Sequence, residues 1–324
     1  MAMRERVAVV AIGRNEGPRL VRALAALAAQ KLAPIVYVDS NSTDTSVEEA
    51  RKIGAHVIEL DMSVPFTAAR ARNAGWRKAL EIAPETEFIQ FLDGDCELVE
   101  GWIDAALAAF ATEPDLAVVC GRRRERFPDA SRWNRMIDRE WDSPIGAAIA
   151  CGGDALMRRA AVEAVDGYRA DLIAGEEPEM CFRMREKGWR VRRIDAEMTL
   201  HDADLTRFGQ WWTRATRAGH AFAEGAFLHG ASPERFRVTE ARRGLIWGAA
   251  IPVFVILAAL LLSPWALLLL LVYPLQVLRL RFQQGQPWEE AVFLTLAKFA
   301  EAKGAFRFHH RRLTGRNRTL IEYK

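Results

Sequence analysis

From Gly244 to Leu278 the chain carries no charged residue, and Leu, Ile, Val, Ala and Phe dominate the stretch. A helix that crosses the hydrocarbon of a bilayer needs about 20 apolar residues. Gly244–Leu262 meets that length; after the break at Ser263, Pro264 and Trp265, the return stretch Trp265–Leu280 is somewhat short. Arg242 and Arg243 precede the pair, and Arg279 and Arg281 follow it. Basic residues on both flanks place both ends on the cytoplasmic side. The expectation is a helical hairpin over 236–282, with an amphipathic helix and basic tail over 283–324. The competing reading is a hairpin buried inside a soluble core.

The rest of the chain is charged unevenly. The formal net charge is +3, yet between Lys303 and Lys324 seven Lys/Arg face one acid, Glu322, a local +6 that leaves about −3 for 1–302. That balance lacks the electrostatic footprint of a nucleic-acid binder. The basic tail suits anionic membrane lipid, or is a solvated end. The four cysteines, Cys96, Cys120, Cys151 and Cys181, form no C-x-x-C pair and have no zinc spacing, so they read as free thiols in a reducing compartment. The N-terminal apolar run is too short for a signal peptide, and the chain is expected to start in the cytoplasm.

The first 121 residues alternate regularly. "RVAVVAIG", "IVYVDS", "AHVIEL", "EFIQFLD" and "LAVVCG" are β-branched or apolar strand patterns. Between them, "GPRLVRALAALAAQ", "TDTSVEEARKIG", "TAARARNAGWRKALEIA" and "GWIDAALAAFAT" place apolar residues at helical spacing. This predicts an α/β, doubly wound, mostly parallel sheet covered on both faces. Ligands bind such sheets beyond the carboxyl ends of the strands.

At those ends stand Asn15 and Glu16, Asp39 and Ser40, and Asp93 and Asp95. In "FLDGDCEL" the two aspartates flank Gly94. An acidic turn explains them simply; the alternative is that both carboxylates face one point and need a cation between them. Convergence of all three strand ends on one crevice favours the second reading. No G-x-G-x-x-G and no G-x-x-x-x-G-K-[ST] appears.

From about Arg122 the rhythm is lost. "RRRERFPDASRWNRMIDREWDSP" reads as a charged insert, "ACGGDALMRRAAVEAVDGY" as a glycine pair and a short helix. "GEEPEMCFRMREKGWRVRRID" predicts a helix with Pro178 in its first turn, ending at Gly188 and feeding a strand from Trp189. Glu176 and Glu177 then sit at its N-terminus, where the dipole alone stabilises a carboxylate by about 0.3–1 kcal/mol. Trp211 and Trp212, beside Arg207, Arg214 and Arg217, fall on a helix that is either interfacial or packed under the site. His220 and His229 read as structural.

Taken together, residues 5–225 resemble a family 2 glycosyltransferase with the GT-A fold. "VAIGRNEG", "VDSNSTDTS", "ARNAG", "DGD", "GGDALMRR" and "GEEPEMCFRMREKGWRV" resemble the family's motifs, in its order. The resemblance implies a GT-A domain over 1–235, with a nucleotide-sugar half (1–121) and an acceptor half (122–235). It implies that Asp39 lies at the nucleotide base, with Asn15, Glu16, Ser40, Asp44, Arg70 and Asn73 shaping the donor pocket. Asp93 and Gly94 would meet the ribose or the metal, and Asp93, Asp95 and His201 would hold Mg2+ or Mn2+. Gly152, Gly153, Trp211 and Trp212 would face the acceptor. Ser40 stands where a second Asp is frequent, and Glu177 where the family has its catalytic Asp, so the base is Glu176 or Glu177.

The implied activity is inverting transfer from a nucleotide-sugar, by family frequency a UDP-sugar, to a lipid-linked or glycan acceptor. It would take place at the cytoplasmic membrane face, as in cell-envelope polysaccharide assembly. Two alternatives stand beside it. A nucleotidyltransferase also places acids at strand ends, but would carry a lysine-bearing glycine loop where this chain has "GRNEG". A catalytically silent membrane scaffold would not need Asp93, Asp95 and Glu177.

Overall fold

A computed structural model of the chain describes residues 3–315. Residues 316–324, the end of the expected basic tail, lie outside the described residues. The chain divides into two compact units, Met1–Thr206 and Arg207–Lys324.

The first unit is a nine-stranded sheet with helices. Its strands are β1 (Val7–Gly13), β2 (Ile35–Asp39), β3 (His56–Glu59), β4 (Phe88–Asp93), β5 (Cys96–Leu98), β6 (Leu116–Glu125), β7 (Gly146–Ala148), β8 (Ala155–Arg158) and β9 (Arg190–His201). The helices are α1 (Pro18–Ala29), α2 (Ser46–Lys52), α3 (Ala68–Ile82), α4 (Trp102–Thr112), α5 (Arg132–Glu140), α6 (Arg159–Ala164) and α7 (Glu176–Glu186). The strand order is β3-β2-β1-β4-β8-β6-β9-β5, with β7 paired to β9. Strands β1, β2 and β4 are apolar along nearly their whole length, and they are buried because helices cover both faces.

The parallel rhythm holds for β3, β2, β1 and β4, and again for β6 beside β9. Strand β8 breaks it: it runs antiparallel between β4 and β6, and β5 and β7 run antiparallel to β9. The sheet is therefore mixed. The "ALMR" of β8 is only four residues long and leads straight into α6, so the sequence reads as one helix. Register aligns the strand ends: Gly13 lies opposite Asp39, and Ile12 opposite Asp93. That alignment gathers the acids at one edge of the sheet.

The second unit begins at Arg207. Helix Phe208–His229 packs on helix Trp288–Thr314 with almost no side chain between them. A Cβ on Gly219 would stand 2.1 Å from the Glu301 carbonyl oxygen, and one on Gly304 2.0 Å from that of Thr216. Two helices, Val238–Leu261 and Pro264–Gln283, are long and apolar enough to cross a membrane. Only 11% and 6% of their most apolar windows is buried, which is unlike the core helix of a soluble protein. The return limb opens with eight residues of 3₁₀ helix, Pro264–Leu271. At about 2.0 Å per residue instead of 1.5, those eight cover about 16 Å, so the limb that reads as short is lengthened. Across the hairpin the Tyr273 hydroxyl donates to the Trp247 carbonyl at 2.5 Å, beside a π-helical turn at Ile246–Ala250.

Candidate active site

The loops after β1 and β2 are laced together by polar side chains. The Asp39 carboxylate is buried and accepts from the Ser42 amide (2.8 Å), the Ser42 hydroxyl (2.5 Å) and the Tyr37 hydroxyl (3.1 Å). Burial and the neighbouring Asp39 push the Tyr37 phenol well above its ordinary range, so it stays a donor. Asn15, at φ 55°, accepts from the Thr43 amide at 2.7 Å, and its own amide donates to Ser42 Oγ. Asp44 accepts from the Gly17 and Ser46 amides. Ser40 is buried and donates its amide to the Gly13 carbonyl. Glu16 pairs with Arg19 and its Cγ packs against Gly13 and Gly94.

Two expected donor residues serve other ends. Asn73 spends its amide group on the Tyr168 backbone (2.6 and 2.9 Å) and on the Trp76 indole (3.0 Å), so it pins a turn. Arg70 donates to the carbonyls of Asp61, Val64 and Pro65 and ties down the loop before α3. The arginine that enters the site is Arg72, two residues on.

Arg72 is fully buried and joins three acids. Its Nη2 donates to Asp93 Oδ1 at 2.7 Å, and its Nη1 lies 3.0 Å from both Glu176 Oε1 and Glu177 Oε1. Burial works against its charge, and Glu177, Asp93 and Glu176 outweigh it. Glu177 shows the opposite balance. Burial and the like charge of Glu176 push its carboxyl up to about 7, with Arg72 opposing. Glu176 is the more deeply buried of the two, with a side chain 5% exposed against 15% for Glu177.

Arg123 approaches Asp93 from the other side at 3.2 Å. Asp154, directly after the glycine pair, accepts from the Asp93 amide (3.0 Å) and the Thr199 hydroxyl (2.9 Å). Gly153 is required here, since a Cβ would stand 2.4 Å from Asp93 Oδ2 and 2.7 Å from Arg72 Nη2. At Gly152 the nearest atom is 3.8 Å away.

The two aspartates of "DGD" do not share one cluster. Asp95 groups with Cys96 and His201, whereas Asp93 groups with Cys96 and Asp154. Two arginines already offset Asp93, and of Asp93, Asp95 and His201 only the last two fall in one group. His201 Nε2 lies 3.3 Å from Asp95 Oδ2. That is close to the spacing of two adjacent ligands on one octahedral ion with bonds of about 2.1 Å. The donors present are a carboxylate oxygen, which suits Mg2+ or Mn2+, an imidazole nitrogen, and the Cys96 thiol, which burial pushes up and keeps protonated. Burial, and then Arg123, hold the His201 imidazole below its ordinary pKa, in the neutral form that a ligand needs.

Residues 8–166 match the model of the family described as glycosyl transferase family 2. The chain carries a family 2 glycosyltransferase domain. With the mixed sheet, this gives a GT-A-like fold and a glycosyltransferase domain rather than a nucleotidyltransferase one. The match to this domain stops before Glu176, Glu177 and His201, so their assignment rests on geometry. The pre-mycofactocin glycosyltransferases of two strains of Mycobacterium tuberculosis are 27% identical over 242 residues, 69% of this chain and 48% of theirs. The chain thus spans about half the length of these curated relatives. Among solved structures, a mannosyltransferase of Pyrobaculum calidifontis in complex with GDP-Man and Mn2+ aligns with a TM-score of 0.64. It shares 21% identity and covers 93% of this chain and 87% of its own, a likeness of fold.

Four residues of the transferase domain's site escape sequence reading. Arg72 lies inside "ARNAG", beside the asparagine that draws the eye, and Asp154 directly follows the glycines. Arg123 and Glu125 lie in a charged run with no signal of their own. Trp211 and Trp212 belong to the second unit.

Proposed function

We propose that the chain is an inverting glycosyltransferase that moves a sugar from a nucleotide-sugar to a lipid-linked or glycan acceptor at the cytoplasmic membrane face. The observation that carries this is Arg72, which joins Asp93 at the sheet edge to Glu176 and Glu177 on α7. A diphosphate leaving group and an acceptor base must lie on opposite sides of the reacting carbon, close but separate. That Asp93 and Glu177 are held apart by one shared guanidinium supports this reading.

In this reading Asp39, Asn15 and the loops they lace form the nucleotide pocket. Asp95 and His201 hold a divalent cation, which offsets the charge that builds on the departing diphosphate. Glu177 takes the proton from the acceptor hydroxyl. A carboxyl near 7 suits a base working near neutrality. Glu176, more buried, raises the proton affinity of Glu177 and orients Arg72. Attack from the side opposite the leaving group inverts the anomeric centre. Gly152 and Gly153 border the acceptor side. The exposed apolar hairpin supports an anchor in the bilayer, which suits an acceptor that is itself in the bilayer.

The test uses the full-length protein in vesicles with Mg2+ or Mn2+. UDP-sugars and GDP-Man, the ligand of the structural neighbour, form the donor panel. Polyprenyl phosphate, a soluble glycan and pre-mycofactocin, for which the relatives are named, form the acceptor panel. Inverted product on the lipid is expected. Retention of configuration, transfer of a nucleotidyl group, or a protein stripped from membranes by salt alone contradicts the corresponding part.

A further inference from the structure

Beyond Arg123, the charged segment up to Trp141 has no role in the proposed reaction, yet it lies beside one end of the cation site. Strand β9 ends at His201, which lies opposite Cys96 of β5 on one side and Glu125 of β6 on the other. The imidazole therefore stands between two acids. Nε2 lies 3.3 Å from Asp95 Oδ2, and Nδ1 lies 3.5 Å from Glu125 Oε2.

Glu125 cannot turn away. Its Oε1 accepts from the Phe127 amide (3.1 Å) and Asn134 Nδ2 (3.2 Å), and its Oε2 from the Ala203 amide (3.0 Å). Its own amide donates to Asp138 Oδ1 at 2.8 Å. Asn134 and Asp138 both lie on α5, so the insert is the clamp. All three partners of the side chain are N–H donors, which fixes it as an acceptor. A neutral imidazole has one donor and one acceptor nitrogen. Nδ1 makes no hydrogen bond as the side chains stand, and Glu125 Oε2 lies 3.5 Å from it. A proton on Nδ1 meets Glu125, and the lone pair of Nε2 is then turned on Asp95. Two acceptors facing each other at that spacing repel unless a cation lies between them.

We infer that Glu125 is a positioning residue for the divalent cation: it holds His201 in the Nδ1–H tautomer, so that Nε2 and Asp95 present a ready pair of ligands. This rests on the reading that Asp95 and His201 bind the cation. A carboxylate behind a ligating histidine sets the ring's tautomer and orientation, and its loss costs about 10–100-fold in metal affinity. The edge of Trp141 against His201, with ring centres 4.7 Å apart, holds the same ring from a third direction.

The test is Mn2+ binding to the full-length protein, read by electron paramagnetic resonance without any substrate. In the wild type, pulsed spectra are expected to show imidazole nitrogen coupled to bound Mn2+. Glu125→Gln is expected to weaken binding by about 10–100-fold and to lose that coupling. Thermal melting separates this from simple unfolding: a purely structural Glu125 lowers the melting temperature but leaves affinity and coupling intact in the protein that remains folded. Nitrogen NMR of wild-type His201 needs no variant and is expected to show the Nδ1–H tautomer before and after Mg2+ is added. Unchanged affinity with retained coupling in Glu125→Gln, or an Nε2–H tautomer under saturating Mg2+, overturns the inference alone. Absence of imidazole coupling in the wild type overturns the Asp95–His201 site itself.

Discussion

Gly153→Ala is the sharpest test of how the site is built. The added Cβ would stand 2.4 Å from Asp93 Oδ2, 2.8 Å from Oδ1 and 2.7 Å from Arg72 Nη2. Ordinary contact begins near 3.4 Å, so the carboxylate must retreat by about 1 Å. It cannot go alone, because Arg72 at 2.7 Å and Arg123 at 3.2 Å hold its two oxygens. A reacting group misplaced by about 1 Å loses about 10²-fold in rate. That corresponds to about 2.7 kcal/mol of transition-state stabilisation. Gly152→Ala is the matched control, since its Cβ would meet nothing nearer than 3.8 Å. The assay is kcat/KM for the nucleotide-sugar with the full-length protein in vesicles, alongside the melting temperature. Gly153→Ala within a few-fold of wild type, or Gly152→Ala equally impaired, refutes the reasoning.

Glu177→Gln is expected to cut turnover by about 10²–10⁴-fold with nucleotide affinity retained, and Glu176→Gln to do less; the reverse order in steady-state kinetics would move the base to Glu176. Because Glu177 must be ionised to accept a proton, wild-type kcat/KM should rise with pH through about 7; a flat profile there contradicts the assignment. The same group acts on stability with a definite sign. Its folded pKa is raised, so the unfolded chain releases the proton first and stability falls as pH climbs from the ordinary carboxyl range to about 7. Glu177→Gln should therefore melt higher than wild type above neutrality, and an unchanged or lower melting temperature counts against the burial argument. Asp95→Asn should lose metal-dependent transfer with little change in melting temperature; near-normal turnover, or outright unfolding, would show that its charge serves something else.

Much of the frame is legible in the sequence because it depends on local patterns. The β1–β4 alternation, the hairpin and the α7 start at Glu176 follow from apolar periodicity, an uncharged run and a proline in a first turn. Strand β8 is not legible, because four residues carry too little pattern and its partners β4 and β6 lie far away in sequence. The acids of the site are visible as residue types, but their grouping is not. Asp93 and Asp95, two residues apart, are turned to different neighbours by β5 pairing with β9. The buried arginines are the least legible, since an arginine reads as surface until three acids are seen around it.

The sharing of Arg72 ties the order of events to protons. A ligand that neutralises Asp93 removes one of the charges that raise Glu177, and leaves the guanidinium more fully to the glutamates. Both effects lower the proton affinity of Glu177, so a cation that reaches Asp93 expels a proton. By reciprocity, alkaline conditions tighten the binding of that cation. Calorimetry in two buffers of different ionisation heat reads that proton directly, and equal heats would dismiss the coupling. Where it holds, Glu177 is deprotonated most completely once a cation sits at Asp93, and an empty site keeps its base capped.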